Sequence, residues 1–437
     1  MELVSSDKCA IVEDSGGDWC GTASDCNSDL GTGTAGAITA SVHRPLHVHR
    51  RADGASPNNV GSGRMGLIRD KRGNLYGTTY AGGDLTSSLC ASSGGCGVVF
   101  KLDSASKETV LHTFSGPDGS FLGAAPVEDD AGNLYGTTNY GGDLSECGGV
   151  GCGAVFKVDA TAKETVLHSF TGGVDGDEPF AGVIRDKAGN LYGTTFAGGL
   201  YERAVVFKLD RAGKEAVLHR FCWTRWKLPR GSSHTRRYGQ SLRHHKWWRR
   251  LRTRGVYKLD PSGKYTVLHN FTGGADGGQP YDSLVRDEEG NLYGTASAGG
   301  LGGCFQGCGV VFKLDRTGEE TVLYTFTGGT DGGLPYASLL RWAGNLYGTT
   351  FFGGDLSGAC GTIGCGVVFE LDGSAKETVL YSFTGFADGA NPYVGVISDW
   401  AGNLSGTTRY GGDLASTNPN CASSGCGVVF QIKQYVH

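Results

Sequence analysis

The chain has 437 residues, of which 76 are glycine and only 11 proline, with 39% apolar and 19% charged residues and a formal charge of −5. Glycine without matching proline excludes a proline-rich disordered tract, and the acidic balance argues against nucleic acid as a partner. No stretch approaches the ~20 consecutive apolar residues that a membrane-spanning helix needs.

From the start, Met1–Val42 offers no basic segment followed by a continuous apolar one, so this chain carries no signal peptide and its true start is expected upstream. Ala10–Asp14 reads AIVED and Gly17–Ala23 reads GDWCGTA, which marks residues 17–72 as a degraded first copy of a pattern that then recurs. GNLYGT stands at Gly73, Gly132, Gly189, Gly290 and Gly344, and GNLSGT at Gly402. Each full unit of about 55 residues adds a segment such as Leu67–Asp70 before that phrase, and segments such as Gly97–Asp103 and Glu108–Phe114 after it.

These segments are short, rich in Val, Leu, Phe, Tyr and Thr, and bounded by Gly, Asp, Asn or Ser, as strands and hairpin turns are. Four strands per unit predict one blade of an all-β propeller. A stacked β-solenoid is the structural rival, but its rungs are usually shorter than such a unit. Eight units are counted, giving eight blades with seven as the alternative, all within a single domain spanning residues 1–437. Met1–Ser5 is expected to supply the fourth strand of the last unit, which ends at Gly427–Lys433 without one.

Two stretches break the pattern. Cys222–Arg254 holds 11 Lys or Arg, no acid, and four of the seven Trp, which at face value is a basic, aromatic nucleic-acid patch. Back-translation of Gly239–Trp248 with a one-nucleotide shift restores GNLYGTT and a following Gly pair, and the same shift of His43–Arg51 permits TVLYTFTGG. Residues 222–254 and 43–51 therefore read as frameshift products, from sequencing error or genuine lesion, and nucleic acid is not expected as a partner. Without those 11 cations the charge falls from −5 to −16. The blade concerned should lack its normal inner strands.

Five cysteine pairs recur in register between the second and third strands: Cys90/Cys96, Cys147/Cys152, Cys304/Cys308, Cys360/Cys365 and Cys421/Cys426. Repeated close pairing predicts disulfides and an oxidising compartment, hence an extracellular or cell-surface location. Zinc is the rival, but pairs on different blades do not converge on one ion.

The phrases GNLYGTT, GCGVVFKLD and KETVLHSFTGG resemble the bacterial choice-of-anchor tandem-repeat proteins of the GloVer type, over nearly the whole chain. More distantly, RDKAGNLYGTT followed by VFKLD is similar to the NHL-type propeller repeat, in which the segment before the phrase is the strand nearest the channel. The resemblance implies an exported or surface-displayed repeat protein and supplies no catalytic residue.

Motifs for catalysis are decoys. Ser104–Lys107 spells SxxK, but the same turn reads PSGK at Pro261 and GSAK at Gly373. His112, His168, His219 and His269 share a position held elsewhere by Tyr324 and Tyr381, which favours a packed or edge-strand aromatic over a metal ligand. Asp175, Asp276, Asp331 and Asp388 recur in Asp-Gly turns, where Ca²⁺ is conceivable and turn chemistry is the simpler account. Arg69, Arg185, Arg286 and Arg341 recur in the innermost strand, and radial symmetry would gather them into a ring able to bind an anion. The expected function is a monomeric binding scaffold for a polysaccharide or a protein. The alternative is a propeller hydrolase or lyase with a central-channel active site.

Overall fold

A computed structural model of the chain describes residues 2–6, 9–13, 46–47, 66–91, 93–198, 204–221, 255–259, 264–300, 302–412 and 425–433, the first three by backbone alone. Residues 17–23 and 222–254, which carry the degraded phrase and the shifted segment, lie outside them.

Six blades are built on the GNLYGT phrase, each with antiparallel neighbours. The first runs Ile68–Arg69, Leu75–Thr78, Val98–Leu102 and Glu108–Thr113. In the second, both Ser120–Leu122 and Val127–Glu128 pair with Leu134–Tyr140, followed by Ala154–Val158 and Glu164–Ser169. The third runs Ile184–Arg185, Leu191–Thr194, Val205–Leu209 and Glu215–Arg220. The fourth is Val285–Arg286, Leu292–Ala296, Val310–Leu314 and Glu320–Thr325. The fifth is Leu340–Trp342, Asn345–Thr350, Val367–Leu371 and Glu377–Ser382. The sixth joins Ile397–Ser398, Leu404–Thr407 and Val428–Ile432 to Leu46–His47.

This corrects the expected blade number: the repeat builds six blades, not eight and not the alternative of seven. The reason is that the two damaged units do not each make a blade. Gly255–Leu259 and Tyr265–Asn270, the third and fourth strands of the interrupted unit, form one further sheet with Glu2–Ser6 and Cys9–Glu13 from the N-terminus. The N-terminal hairpin takes the inner places that the shifted segment would have filled, and lies against the inner strands of the third blade. The sixth blade is indeed completed from the other end of the chain, but by Leu46–His47 rather than by Met1–Ser5.

The core lies between blades. Phe100, Phe156, Phe207, Phe312, Phe369 and Phe430, one per third strand, are fully buried. Each packs its ring tip where the glycine of the LYGT strand leaves room: a Cβ on Gly136 would sit 2.5 Å from the Phe156 ring. The fourth strand ends in a second phenylalanine whose edge meets the third-strand ring of the next blade, with Phe114–Phe156, Phe170–Phe207, Phe326–Phe369 and Phe383–Phe430 centroids 5.0 to 5.1 Å apart. Threonines add a polar clamp, with Thr78, Thr137, Thr295 and Thr349 each donating to a carbonyl of the following blade at 2.7 to 2.9 Å.

Candidate functional site

The hairpin between first and second strands is held by one carboxylate. Asp70 accepts from the Arg72 and Asn74 backbone amides, the Asn74 side chain and the Tyr76 hydroxyl. Asp129, Asp186 and Asp287 repeat this with Asn and Tyr partners, which use up these acids as hairpin caps. Hydrogen bonding holds Asp70 and Asp129 below the usual carboxylate range, against a burial penalty that is the largest single effect on each.

The arginines lie at this hairpin end and reach sideways. Arg69 donates to Ser405 Oγ of the sixth blade at 3.1 Å, Arg341 pairs with Glu288 of the fourth at 2.9 Å, and Arg185 lies 4.0 Å from Asp129 and over the Tyr135 ring of the second. Arg286 is exposed and folds over Gly290 of its own hairpin. Arg185 also lines a groove of about 280 Å³ between the second and third blades, with Tyr135, Lys157, Asp210 and Arg211. Three of the four arginines thus bridge neighbouring blades, and the repeat position holds Glu128 in the second blade and Ser398 in the sixth.

At the outer edge, the Asp-Gly turns are also occupied. Asp175, Asp276, Asp331 and Asp388 each accept from the amide and hydroxyl of a threonine four residues earlier. The shared His/Tyr position faces the same acid: His112 Nε2 lies 2.8 Å from Asp118, His168 3.5 Å from Asp175, and Tyr324 and Tyr381 donate to Asp331 and Asp388 at 3.1 and 3.0 Å. Both ring types turn a polar atom toward one carboxylate, hydrogen-bonded to it at His112, Tyr324 and Tyr381, which accounts for the interchange. Glu164 of the second blade brings a second carboxylate to His112 and Asp118, with one side-chain N or O atom of each within 4.8 Å of the others. Burial pushes Glu164, Glu320 and Glu377, which share one repeat position, up to about 7.

Four of the predicted disulfides are present: Cys90–Cys96, Cys147–Cys152, Cys304–Cys308 and Cys360–Cys365, with Cα separations of 4.8, 5.4, 5.0 and 5.3 Å. Cys426 is also disulfide-bonded, and Cys421 lies outside the described residues. Each bridge supports the turn into the next blade. A Cβ on Gly328, whose φ is +81°, would meet both Cys304 and Cys308 sulfurs at 2.7 Å. The carbonyls of Cys96, Cys152, Cys308 and Cys365 accept from Phe121, Glu178, Leu334 and Asn391.

Those four residues, with Gln279, share one repeat position, and all five are non-glycine residues at positive φ, between 53° and 61°. Left-handed backbone at such residues costs free energy and clusters at functional sites. Their side chains are all different. The next variable position, at the end of the second strand, holds Tyr80, Asn139, Phe196, Ser297, Phe351 and Arg409. In blades three to six its backbone amide donates to the carbonyl of the left-handed residue. A third position, just after the proline, holds Phe180, Tyr281, Tyr336 and Tyr393. These three positions form a rim at the end of the inner strands opposite the arginines.

The rim is asymmetric. On one side Tyr140 donates to Glu178 at 2.8 Å, Asn139 is fully buried with neither amide atom hydrogen-bonded, and burial, helped by the charge of Glu178, pushes Asp177 up to about 6. On the other, Tyr336 stacks on Tyr393 at 4.8 Å, Tyr281 lies 5.5 Å from Tyr336, and Phe351 stands edge-on to both Tyr336 and Tyr393 at 5.6 and 5.7 Å. Burial, then Tyr393 and Tyr281, push the Tyr336 hydroxyl up to about 12. Arg409 lies over Tyr410 at 4.9 Å and beside Tyr393 at 6.0 Å. None of these rim residues was singled out by motif, because the left-handed and strand-end columns carry a different side chain in nearly every blade.

No helix among the described residues is long and apolar enough to cross a membrane. No curated protein matches the chain. Among solved structures, a gluconolactonase of Xanthomonas campestris is similar at 12% identity and a TM-score of 0.41, covering 92% of this chain and 98% of that one. A luciferin-regenerating enzyme is similar at 11% identity and a TM-score of 0.41, covering 86% and 92%. The extracellular domain of a one-component system from B. thetaiotaomicron is similar at 10% identity and a TM-score of 0.45, covering 87% of this chain and 39% of that one. The Gloeobacter/Verrucomicrobia repeat profile matches residues 7–241 and 252–435, nearly the whole chain, and the chain belongs to that repeat family.

Proposed function

We propose that this protein is an extracellular binding scaffold whose rim holds a polysaccharide. The observation that carries the reading is what one end presents: the blades repeat their core strands, while the left-handed column and the adjacent second-strand end differ in side chain from blade to blade, beside a column of aromatic rings at Phe180, Tyr281, Tyr336 and Tyr393. Loops and strand ends on a rigid scaffold are where recognition is ordinarily placed. Half-buried tyrosine and phenylalanine rings at that end offer apolar faces to a sugar ring and hydroxyls to its substituents. The disulfides beneath the rim suit an oxidising environment and hold the left-handed residues in place before any ligand arrives.

A polysaccharide panel tests this. The full chain should bind at least one member, the Tyr336→Ala/Tyr393→Ala double variant should lose that binding, and Arg341→Gln at the opposite end should keep it. Retention of binding by the double variant, or binding of no member of the panel, would overturn the reading.

A further inference from the structure

Arg409, at the rim end of the sixth blade, is a half-buried arginine that makes no ion pair among the described residues. Arg341 pairs with Glu288, Arg185 lies beside Asp129 and Arg69 donates to Ser405, whereas no acid and no side-chain acceptor meets the Arg409 guanidinium among the described residues; its Nε, like those of Arg69 and Arg185, is buried without a hydrogen-bond partner. Its backbone amide is fixed by the carbonyls of Ala390 and Asn391, and its guanidinium lies over the Tyr410 ring at 4.9 Å and the Tyr393 ring at 6.0 Å. Aromatic faces hold a guanidinium in place without neutralising it. An arginine so placed presents parallel N–H donors that match a carboxylate in two-point fashion.

Beside it the rim supplies a stacking surface. Tyr336 and Tyr393 are half-buried, Asn391 donates to the Phe351 carbonyl at 2.7 Å, and Phe351 closes the aromatic wall. We infer that Arg409, Tyr336 and Tyr393 form a subsite for a sugar ring carrying a carboxylate, a hexuronate unit of an acidic polysaccharide. The ring lies on the tyrosines and its carboxylate meets Arg409. The net charge of the chain, −5, gives no general attraction for anions, so affinity for an acidic sugar must come from a local group. This inference rests on the reading of the rim as a saccharide surface.

The test uses oligogalacturonate and its fully methyl-esterified counterpart, titrated against the full chain. The acid should bind about tenfold or more tightly than the ester, the difference expected for one charge-assisted pair. Arg409→Gln should erase that preference by weakening the acid alone, while Tyr336→Ala should weaken both. Equal affinity for acid and ester, or an Arg409→Gln variant that still prefers the acid, would overturn the assignment of Arg409 and leave the saccharide reading standing. Binding of neither compound, with no response to other polysaccharides, would overturn both. Unchanged melting of Arg409→Gln establishes that any loss is local, and Arg409→Lys, which keeps the charge but not the two-point geometry, should bind the acid with intermediate affinity.

Discussion

Glu370 shows how far the repeat is conserved by physics rather than by letter. The fifth blade lost the capping aspartate when its hairpin shortened to Trp342-Ala343-Gly344, and the lysine that lies near the tyrosine ring in other blades is there a glutamate. Glu370 accepts from the Asn345 side chain and from the Tyr347 hydroxyl at 3.1 Å, the two donors the missing aspartate would have served. Glu370→Lys, although it restores the repeat consensus, should therefore cost about 1–3 kcal/mol in chemical denaturation by leaving two donors unpaired. A second residue-scale consequence concerns pH. Glu320 and Glu377 titrate near 7 in the fold against an ordinary value of 4.5, so the folded chain retains protons that the unfolded chain has released. Stability should fall as pH rises from about 4.5 to about 7 and level off above, while Asp70 and Asp129, held low, protect the fold down to the ordinary carboxylate range. Melting followed by circular dichroism should show Glu377→Gln raising the melting temperature at pH 8 more than at pH 4.5. An equal effect at both would remove the burial account.

At the scale of the element, the fourth strand is the adhesive of the ring. Its terminal phenylalanine is buried against the next blade, so Phe326→Ala should destabilise by about 3–5 kcal/mol through lost contact and cavity formation. The disulfide loops close only four to six residues of sequence separation, and each should contribute about 2 kcal/mol through chain entropy. Mild reduction should lower the melting temperature and weaken saccharide binding together, because the bridges hold the turns that present the rim. Strands, hairpin glycines, paired cysteines and the Asp-Gly turns were legible in the sequence because each recurs in register. The interchange of histidine and tyrosine was legible as a pattern, but its cause, a shared aspartate seven or so residues on, needed the turn to be folded.

At the scale of the whole molecule, the unit count failed for a topological reason. Two damaged units at distant points of the chain contribute strands to one sheet, and a short strand at Leu46–His47 completes the last blade, so counting copies overcounts blades. The rim was illegible to motif reading for the opposite reason: Phe121, Glu178, Gln279, Leu334 and Asn391 have nothing in common except their backbone angle, and only a column-by-column comparison of the repeats would have isolated them. On this reading the rim end of the propeller, and not the arginine-bearing hairpin end, receives the ligand. Hydrogen exchange of the full chain with and without oligogalacturonate measures that directly. Exchange should slow over 334–338, 391–395 and 409–412, with the hairpins at 69–74 and 286–291 unchanged. Protection confined to those hairpins, or no protection at all, would contradict it.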